Sequence, residues 1–406
     1  MTYSEMKDSG VFWIGDIPSH WDVSKAKYHV VITNGSDPET EGDIPVYGSG
    51  AGSFKTCGEY KEGPAVLIGR KGATLHIPHF IEGRYWNADT AFDVKARKGY
   101  SLRYFYYSAC CFDYKYYISQ TTLPSMTQSN YANMKIPAPS IQEQNNIAAF
   151  LDEKCGGIDA IIDEAKASIE EYKRWKASVI YQAVTKGLDP DAPMKDSGVP
   201  WIGRTPFHWS RTKISRGFSS IGSGSTPVSS EPAYYDGEIP WLQSGDIGES
   251  EVFTTSKSVS HIALEDISSL KIYKAPFIAV AMYGASIANV SIICIDACTN
   301  QACCVLSQPK EDIYLKFVYY AVLASKKELL LSARGGTQPN ISQDIIKQLK
   351  IPVPPVKEQK QIASFLESKV SEINSIISEK QSLIAELEAY KKSLIYEAVT
   401  GKRKVG

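Results

Sequence analysis

The sequence lacks the features of a membrane or secreted protein. No apolar run among its 406 residues approaches the roughly 20 residues that a transmembrane helix needs. The N-terminus has no basic start followed by an apolar run, so it does not resemble a secretory signal. The eight cysteines include no C-x-x-C pair. We therefore expect a cytoplasmic chain with no membrane partner, whose thiols are reduced and mostly buried.

The sequence also lacks catalytic signatures. It contains no G-x-x-x-x-G-K-[ST] phosphate loop, no G-x-G-x-x-G that opens a helix, and no Asn-Pro-Pro-Tyr or Asp-Pro-Pro-Tyr tetrapeptide. The acidic-x-Lys triplets at 152–154 and 367–369 resemble part of a nuclease site. Both lie in predicted helix, where charges usually form a solvated face. We expect no catalytic residue and no cofactor.

Candidate metal ligands are few, and the charge is balanced. His76 and His79 are the only close pair among six histidines, and the proline between them favours a loop. Four cysteines in an apolar, strand-like run lack the polar knuckles of a zinc site: Cys294, Cys298, Cys303 and Cys304. We expect no metal. The net charge of −1 does not by itself indicate a nucleic-acid partner.

What the chain does have is a tandem repeat. IPAPSIQEQNNIAAFLDEK from Ile136 returns as IPVPPVKEQKQIASFLESK from Ile351, and MKDSG-x2-WIG from Met6 returns from Met194. The second repeat has the longer middle segment. The ends agree closely while the middles diverge. This pattern predicts a pseudo-two-fold molecule in which one scaffold carries two different recognition heads. His20 and His208 each precede a tryptophan in the two heads, and we expect them to cap or pack a repeated turn.

Each repeat ends in a long predicted helix that follows Pro139 or Pro354. Apolar residues fill most of a heptad series in both helices. In the first the series is Ile147, Leu151, Lys154, Ile158, Ile161, Ala165, Ser168, Tyr172, Trp175 and Val179. In the second it is Ile362, Leu366, Lys369, Ile373, Ile376, Lys380, Leu383, Leu387, Tyr390 and Leu394. Because one helix cannot bury its own apolar stripe, we predict an intramolecular antiparallel coiled coil.

The middle segments have the spacing of short strands with tight turns. Apolar runs lie at 44–47, 65–69 and 91–94 in the first segment, and at 239–242, 277–280 and 290–295 in the second. Helices are predicted at 102–117 and 315–323. We predict an α+β fold with a small twisted sheet or barrel in each recognition domain. The predicted domains are residues 1–140 and 188–355, and the helices that join them are residues 141–187 and 356–406.

Glycine-rich turns in both middles carry polar or basic side chains that could approach a DNA duplex. Arg and Lys match guanine edges, and Asn and Gln match adenine edges. The alternative is that these are ordinary hairpin turns. The candidates in the first domain are Ser49, Arg70, Lys71, Thr122 and Gln128. Those in the second are Ser223, Ser225, Thr226, Gln243, Tyr283, Arg334, Thr337, Gln338 and Asn340.

The repeated phrases MKDSG-x2-WIG…P-x-HW and IP-x-P…EQ-x2-IA-x-FL-x2-K, with the bridge AVTKGLDPDAPMKDSGVPWIG, resemble the specificity (S) subunit of type I restriction–modification enzymes. The resemblance implies two target-recognition domains, each recognising half of a split double-stranded DNA sequence, held apart by two helices. It also implies two methyltransferase (M) subunits, with restriction (R) subunits joining that M2S1 core. The S subunit itself is then non-catalytic, and M methylates adenine N6.

On that resemblance, M docks along the flanks of the two helices. The matched residues there are Glu143, Gln144, Phe150, Glu358, Gln359 and Phe365. Two other interpretations remain open from the residues alone. One is a coiled-coil scaffold that bridges protein partners without DNA sequence selection, and the other is a nuclease that uses Asp152.

Overall fold

The computed structural model describes residues 3–50, 52–118, 124–334 and 339–405. The candidate residues Thr122, Thr337 and Gln338 lie outside the described residues. The chain divides into two compact units. Unit 1 comprises Met1–Ala167 and Glu379–Gly406, and unit 2 comprises Ser168–Ser378. No helix among the described residues is long and apolar enough to cross a membrane.

Among its described residues, the first half of the chain contains twelve strands and three α-helices. The strands are β1 (Met6–Asp8), β2 (Asp16–Pro18), β3 (Asp22–Lys25), β4 (Val30–Asn34), β5 (Ile44–Tyr47), β6 (Ser53–Cys57), β7 (Lys61–Glu62), β8 (Ala65–Gly69), β9 (His79–Ile81), β10 (Arg84–Asn87), β11 (Ala91–Ala96) and β12 (Lys135–Ala138). The helices are α1 (Leu102–Ala109), α2 (Gln128–Asn133) and α3 (Ile141–Lys186).

The second half repeats this order with insertions. Its strands are β13 (Met194–Asp196), β14 (Arg204–Pro206), β15 (Ser210–Lys213), β16 (Phe218–Gly222), β17 (Tyr235–Leu242), β18 (Glu251–Val252), β19 (Lys257–Val259), β20 (Phe277–Ala281), β21 (Val290–Ile293), β22 (Cys298–Thr299), β23 (Cys303–Pro309) and β24 (Lys350–Val353). Its helices are α4 (Ile214–Gly217), α5 (His261–Asp266), α6 (Leu315–Ala324), α7 (Lys326–Leu331), α8 (Gln343–Gln348) and α9 (Val356–Val399).

Unit 1 is built on two four-stranded sheets, in the orders β4-β11-β8-β9 and β6-β5-β10-β7. The first sheet packs against α1, and apolar residues of α3 and α9 complete the same core. Tyr104 of α1 is fully buried, and its hydroxyl donates to the Val399 carbonyl at 2.8 Å. A short antiparallel pair, β3 with β12, closes the unit where it joins α3.

Unit 2 has a five-stranded sheet, β16-β23-β20-β21-β18, and a three-stranded sheet, β19-β17-β22. Helix α6 packs on the larger sheet through buried residues such as Phe317, and residues of α3 and α9 join this core. The pair β15 with β24 closes unit 2 as β3 with β12 closes unit 1. The predicted α+β fold with small sheets in both domains is confirmed.

The helix predicted at 102–117 ends early, at Ala109. The chain then turns, and Asp113 starts a separate 3-10 turn at Tyr114–Tyr116 by accepting a hydrogen bond from the Lys115 amide at 3.2 Å. An aspartate side chain competes in this way with continued helix.

The two long helices pack antiparallel within each unit, as predicted. In unit 1 the late residue Lys391 of α9 pairs with the early residue Asp159 of α3 at 2.6 Å. In unit 2 the late residue Lys176 of α3 donates to Asn374, in the first half of α9, at 3.1 Å. With 46 and 44 residues, the helices are about 70 and 65 Å long at 1.5 Å per residue.

The predicted heptad series is confirmed at Ile158, Ala165 and Ile373, which are buried, but Lys154 and Ile161 of α3 are exposed. In α3 the buried residues begin with spacings of four, four and three residues. The buried seam consists of Ile147, Leu151, Cys155, Ile158, Ile162, Ala165 and Ile169 in α3, and of Ile362, Leu366, Ile373 and Ile377 in α9. Lys154 and Lys369 stay outside it, paired with Glu153 and Glu372. A four-four-three step fits the 3.6-residue turn of a straight helix better than a strict heptad does.

A glutamate near the start of α3 fastens that helix to the head of unit 1. The buried indole of Trp21 donates to Glu143 Oε1 at 3.0 Å, and His20 Nε2 lies 2.9 Å from the same oxygen. Glu143 Oε2 accepts from the Ser140 amide and hydroxyl, which forms a capping box at the helix start. Burial acts to raise the pKa of Glu143, but these hydrogen bonds outweigh it and lower the pKa to about 2.

The same clamp recurs in unit 2. Trp209 Nε1 donates to Glu358 Oε1 at 3.0 Å, and His208 Nε2 lies 2.9 Å from Oε2. The repeated histidine–tryptophan pair therefore packs a turn against a helix start, as the sequence predicts.

Glu143→Gln should lower the free energy of unfolding by about 1–2 kcal/mol near neutral pH, because it removes the charge from hydrogen bonds that depend on it. The pKa of Glu143 is lower in the folded chain than its ordinary value of 4.5. The stabilisation is therefore complete above about pH 4.5 and is lost as the pH falls towards 2. Urea unfolding of both proteins across this range measures the difference. The exposed Glu164→Gln on the same helix is the control, and a difference that does not shrink in acid would contradict the account.

Candidate nucleic-acid interface

In unit 1, three loops meet at one edge of the sheets. The amide of Arg70, just after β8, donates to the Thr90 carbonyl at 2.7 Å, and the Arg70 carbonyl accepts from the Met126 amide at 2.8 Å. The next residue, Lys71, pairs across a β-bridge with Ser125. These non-local backbone bonds hold the loop after β8 between the β10–β11 loop and the segment before α2.

Unit 2 repeats these bonds at corresponding positions. The Met282 amide donates to the Ala302 carbonyl at 2.8 Å, and the Met282 carbonyl accepts from the Ile341 amide at 2.8 Å. Tyr283 then pairs across a β-bridge with Asn340. The two units therefore place different side chains on the same backbone frame. The corresponding positions are Lys71 and Tyr283, Asp89 and Gln301, and Ser125 and Asn340.

A fourth loop follows β4 in unit 1 and β16 in unit 2. The Ser36 amide donates to the Asn87 carbonyl at 3.1 Å in unit 1, and the Ser225 amide donates to the Thr299 carbonyl at 3.0 Å in unit 2. The counterpart of the predicted Ser225 is therefore Ser36, which is not among the residues predicted from the sequence. A glycine precedes each serine because the backbone of this loop nearly touches the backbone segment to which the serine bonds. A Cβ on Gly224 would lie 1.7 Å from the Thr299 carbonyl oxygen.

Side chains at the unit 1 edge carry opposite charges. Lys71 Nζ lies 3.3 Å from Asp89 Oδ2, and both side chains are about two-fifths exposed, at 41% and 42%. Arg70 donates to the Asp89 carbonyl at 3.3 Å and lies over the Phe92 ring. Ser49 lies beside Gly72, whose added Cβ would be 2.8 Å from the Ser49 hydroxyl. Ser49, Arg70 and Lys71 are thus close together.

Gln128 lies elsewhere in unit 1. It is the first residue of α2, and its amide donates to the Ile32 carbonyl. It lines a small open groove with Lys27 and Arg97.

Side chains at the unit 2 edge are mostly neutral. The exposed Gln301 hydrogen-bonds the Tyr283 phenol and the Thr226 hydroxyl. Burial raises the pKa of Tyr283, and the bond from Gln301 acts in the opposite direction. Arg334 and Asn340 exchange two backbone hydrogen bonds at 2.9 and 2.8 Å.

The other predicted residues of unit 2 hold the loops. Gln243 opens a short turn by a capping box with Asp246, whose carboxylate accepts from the Gln243 amide at 2.9 Å. The Ser223 carbonyl accepts from the Tyr273 hydroxyl at 3.3 Å, and the Ser225 carbonyl accepts from Trp241 Nε1 at 3.2 Å. The bond from Trp241 joins the loop after β16 to β17 of the smaller sheet.

Asp89 and Gln301 are the positions that sequence reasoning missed. Each lies in a short polar loop before a buried strand, without the glycines that marked the other turns. Their equivalence depends on hydrogen bonds between distant segments, which local sequence does not show.

The six residues predicted at the helix flanks divide into three pairs. Glu143 and Glu358 form the clamps described above. Gln144 is buried and bonds the Ser101 amide and the Pro139 carbonyl, both at 2.8 Å. Gln359 is also buried and bonds the Tyr314 amide and the Pro354 carbonyl at 2.8 Å. These glutamines tie each long helix to the N-cap of α1 or α6. Phe150 is half-buried, while Phe365 is exposed.

The leading carboxylates of the two acidic-x-Lys triplets bind basic or hydroxyl side chains of this chain. Asp152 accepts from Arg103 and from the Tyr107 hydroxyl, both at 2.6 Å, and Glu367 pairs with Lys316. Among the described residues, no group of three or more His, Cys, Asp or Glu side chains could hold a metal ion.

Comparison with known proteins gives one consistent result. The family model for the type I restriction modification DNA specificity domain matches residues 21–171 and again 213–388. A putative type I restriction enzyme specificity subunit, MjaX of Methanocaldococcus jannaschii, is 26% identical over 286 residues, which cover 69% of this chain and 62% of the relative. The EcoR124I/EcoR124II specificity subunit of Escherichia coli is 25% identical over 269 residues, covering 61% and 58%. The chain thus spans about three-fifths of the length of these relatives.

The fold likeness extends along nearly the whole chain. A chain solved in a study of complex assembly and conformational transition of the type I R-M system matches with a TM-score of 0.72 at 14% identity. The match covers 95% of this chain and 99% of that one. At this identity the match shows the fold alone.

Gly224→Ala should displace the 224–226 loop, because its Cβ would overlap the Thr299 carbonyl. We expect the free energy of unfolding to fall by about 1–3 kcal/mol, as in other overpacked sites. Denaturant unfolding followed by tryptophan fluorescence measures this. Gly245→Ala is the matched control, since no atom lies within 4 Å of its added Cβ. Equal stability of the two variants would contradict the close approach.

Proposed function

The chain belongs to the type I restriction modification DNA specificity family, and on that basis we propose that it is the DNA sequence-recognition subunit of a type I restriction–modification complex. Each unit recognises one half of a bipartite double-stranded target. The observation that carries the proposal is the repeated loop frame. Corresponding backbone positions hold Lys71, Asp89 and Ser125 in unit 1 but Tyr283, Gln301 and Asn340 in unit 2. A shared frame with different donors and acceptors suits recognition of two different sequences.

The other candidate residues either hold these loops in place or contact the DNA directly. Ser49 and Arg70 flank the unit 1 edge, and Thr226 and Arg334 flank the unit 2 edge. The outlying Gln128, with Lys27 and Arg97 beside it, contacts the DNA backbone. Because the net charge is only −1, partner subunits supply part of the phosphate contacts, which dominate affinity for DNA.

Two methyltransferase subunits dock on the long helices, and restriction subunits join through that core. Large apolar side chains on the helix surfaces support this docking, because they are exposed beside the buried seam: Ile161, Trp175, Phe365, Leu383 and Tyr390. Three of these five side chains are aromatic, and aromatic side chains are enriched where proteins contact each other. The partners carry the chemistry, adenine methylation and DNA cleavage, and the complex acts in the cytoplasm.

The helices also set the distance between the two half-sites. Each of them runs from one unit into the other, and the recognition domains, residues 1–140 and 188–355, are fastened to them by the glutamate clamps. Residues 141–187 and 356–406 form the spacer.

The host methylome, sequenced with and without this chain, tests the function. We expect a split adenine-methylated motif that disappears when the chain is deleted and returns with the wild-type gene. Methylation that is independent of the chain, or that shows no sequence preference, would favour a scaffold that only bridges proteins.

Deletion of one heptad from each long helix tests the spacer. The deletion shortens each helix by about 10 Å, which is the rise of about three base pairs. We expect the same two half-sites with a spacer that is shorter by about that number. As a control, the exposed residues of one heptad are replaced by alanine without deletion. This change should leave the spacer length unchanged. A deletion variant that assembles and keeps the original spacer would contradict the proposal.

A further inference from the structure

The pair Lys71 and Asp89 is poorly explained as a stabilising contact. The two side chains are joined at 3.3 Å and remain 41% and 42% exposed. Exposed ion pairs of this kind contribute little to stability. Lys71 and Asp89 can therefore give up their contact and bind a ligand instead, with little loss of folding stability.

Their charges also argue against a phosphate site. A carboxylate beside a lysine repels phosphate oxygens, whereas DNA backbone contacts favour basic or neutral donors. A lysine donor next to an aspartate acceptor instead matches the edge of a G·C pair. Guanine presents two acceptors, O6 and N7, and cytosine presents an N4 donor.

The corresponding pair in unit 2 has different chemistry. Gln301 is exposed, and the bonds to Tyr283 and Thr226 hold its amide. A carboxamide carries one donor and one acceptor group, which together match adenine N7 and N6. The acceptor oxygen of Gln301 can bind a donor on a base edge, whereas a phosphate offers only acceptors.

We propose that Lys71–Asp89 and Tyr283–Gln301 are the equivalent base-recognition pairs of the two units. Lys71 and Asp89 select a G·C pair in the half-site of unit 1, and Gln301, positioned by Tyr283, selects an A·T pair in the half-site of unit 2. This assignment rests on the proposed function and adds Asp89 and Gln301 to the residues that determine specificity.

The test exchanges the pair in one unit. The double variant Lys71→Tyr, Asp89→Gln installs the unit 2 pair in unit 1, and Asp89→Asn is a milder single change. Each variant is purified with its methyltransferase subunit and used to methylate a library of duplexes with S-adenosylmethionine, and the methylated sequences are determined. The control is Arg84→Gln, Glu62→Gln, which removes another exposed ion pair of unit 1, joined at 3.1 Å.

We expect the preference for G·C at one position of the unit 1 half-site to fall about tenfold or more in both variants, as for other good base contacts. The rest of the target, including the unit 2 half-site, should not change. Assembly with the methyltransferase subunit and unchanged thermal unfolding show that each variant folds. If the double variant is unstable, Asp89→Asn decides the question.

Two results separate the inference from the function on which it rests. A variant that folds and methylates the unchanged split target overturns the assignment of the pair while the proposed function stands. So does a G·C preference that changes equally in the control. A wild-type complex that methylates no split target overturns the proposed function itself.

Discussion

The structure depends on the contact between one glutamate carboxylate and a histidine–tryptophan pair, made once in each unit. Glu143 and Glu358 stand in the first turn of the two long helices and receive an indole N–H at 3.0 Å in both cases. The neighbouring glutamines, Gln144 and Gln359, bond the start of the main core helix of each unit. Two adjacent side chains thereby fix a recognition domain to a helix. Charge-assisted hydrogen bonds of this kind have specific geometry as well as strength.

Beyond the clamps, the recognition domain of each unit is an insert whose two ends are joined by a short antiparallel strand pair. The strands β3 and β12 close unit 1, and β15 and β24 close unit 2, with the same hydrogen bond at the inner end: Ala26 to Met134 at 2.8 Å, and Ile214 to Leu349 at 2.9 Å. Inside these closures the loop backbones agree while their side chains differ. Loop residues can therefore change without loss of the core.

The repeat, the long helices and the α+β fold could be predicted from the sequence, because apolar periodicity and repeated phrases are local signals. Three features could not. The seam includes Cys155 rather than Lys154, since a straight helix drifts from a strict heptad. The repeated glutamines resembled a surface motif, yet they are buried by bonds to the distant residues Ser101 and Tyr314. Asp89 and Gln301 join the candidate sites through backbone bonds between separated loops, which leave no pattern in the local sequence.

We propose that the residues between the closing strands of each unit determine one half of the target, and that the clamps and helices determine the rest. Replacing residues Ile214–Leu349 by Ala26–Met134 tests it most directly, since the junctions carry matching hydrogen bonds. The methylated target of the assembled chimera is the quantity to measure. The account predicts a split target whose two halves have the same sequence, that of the unit 1 half-site. An assembled chimera that keeps the original two different halves would contradict it.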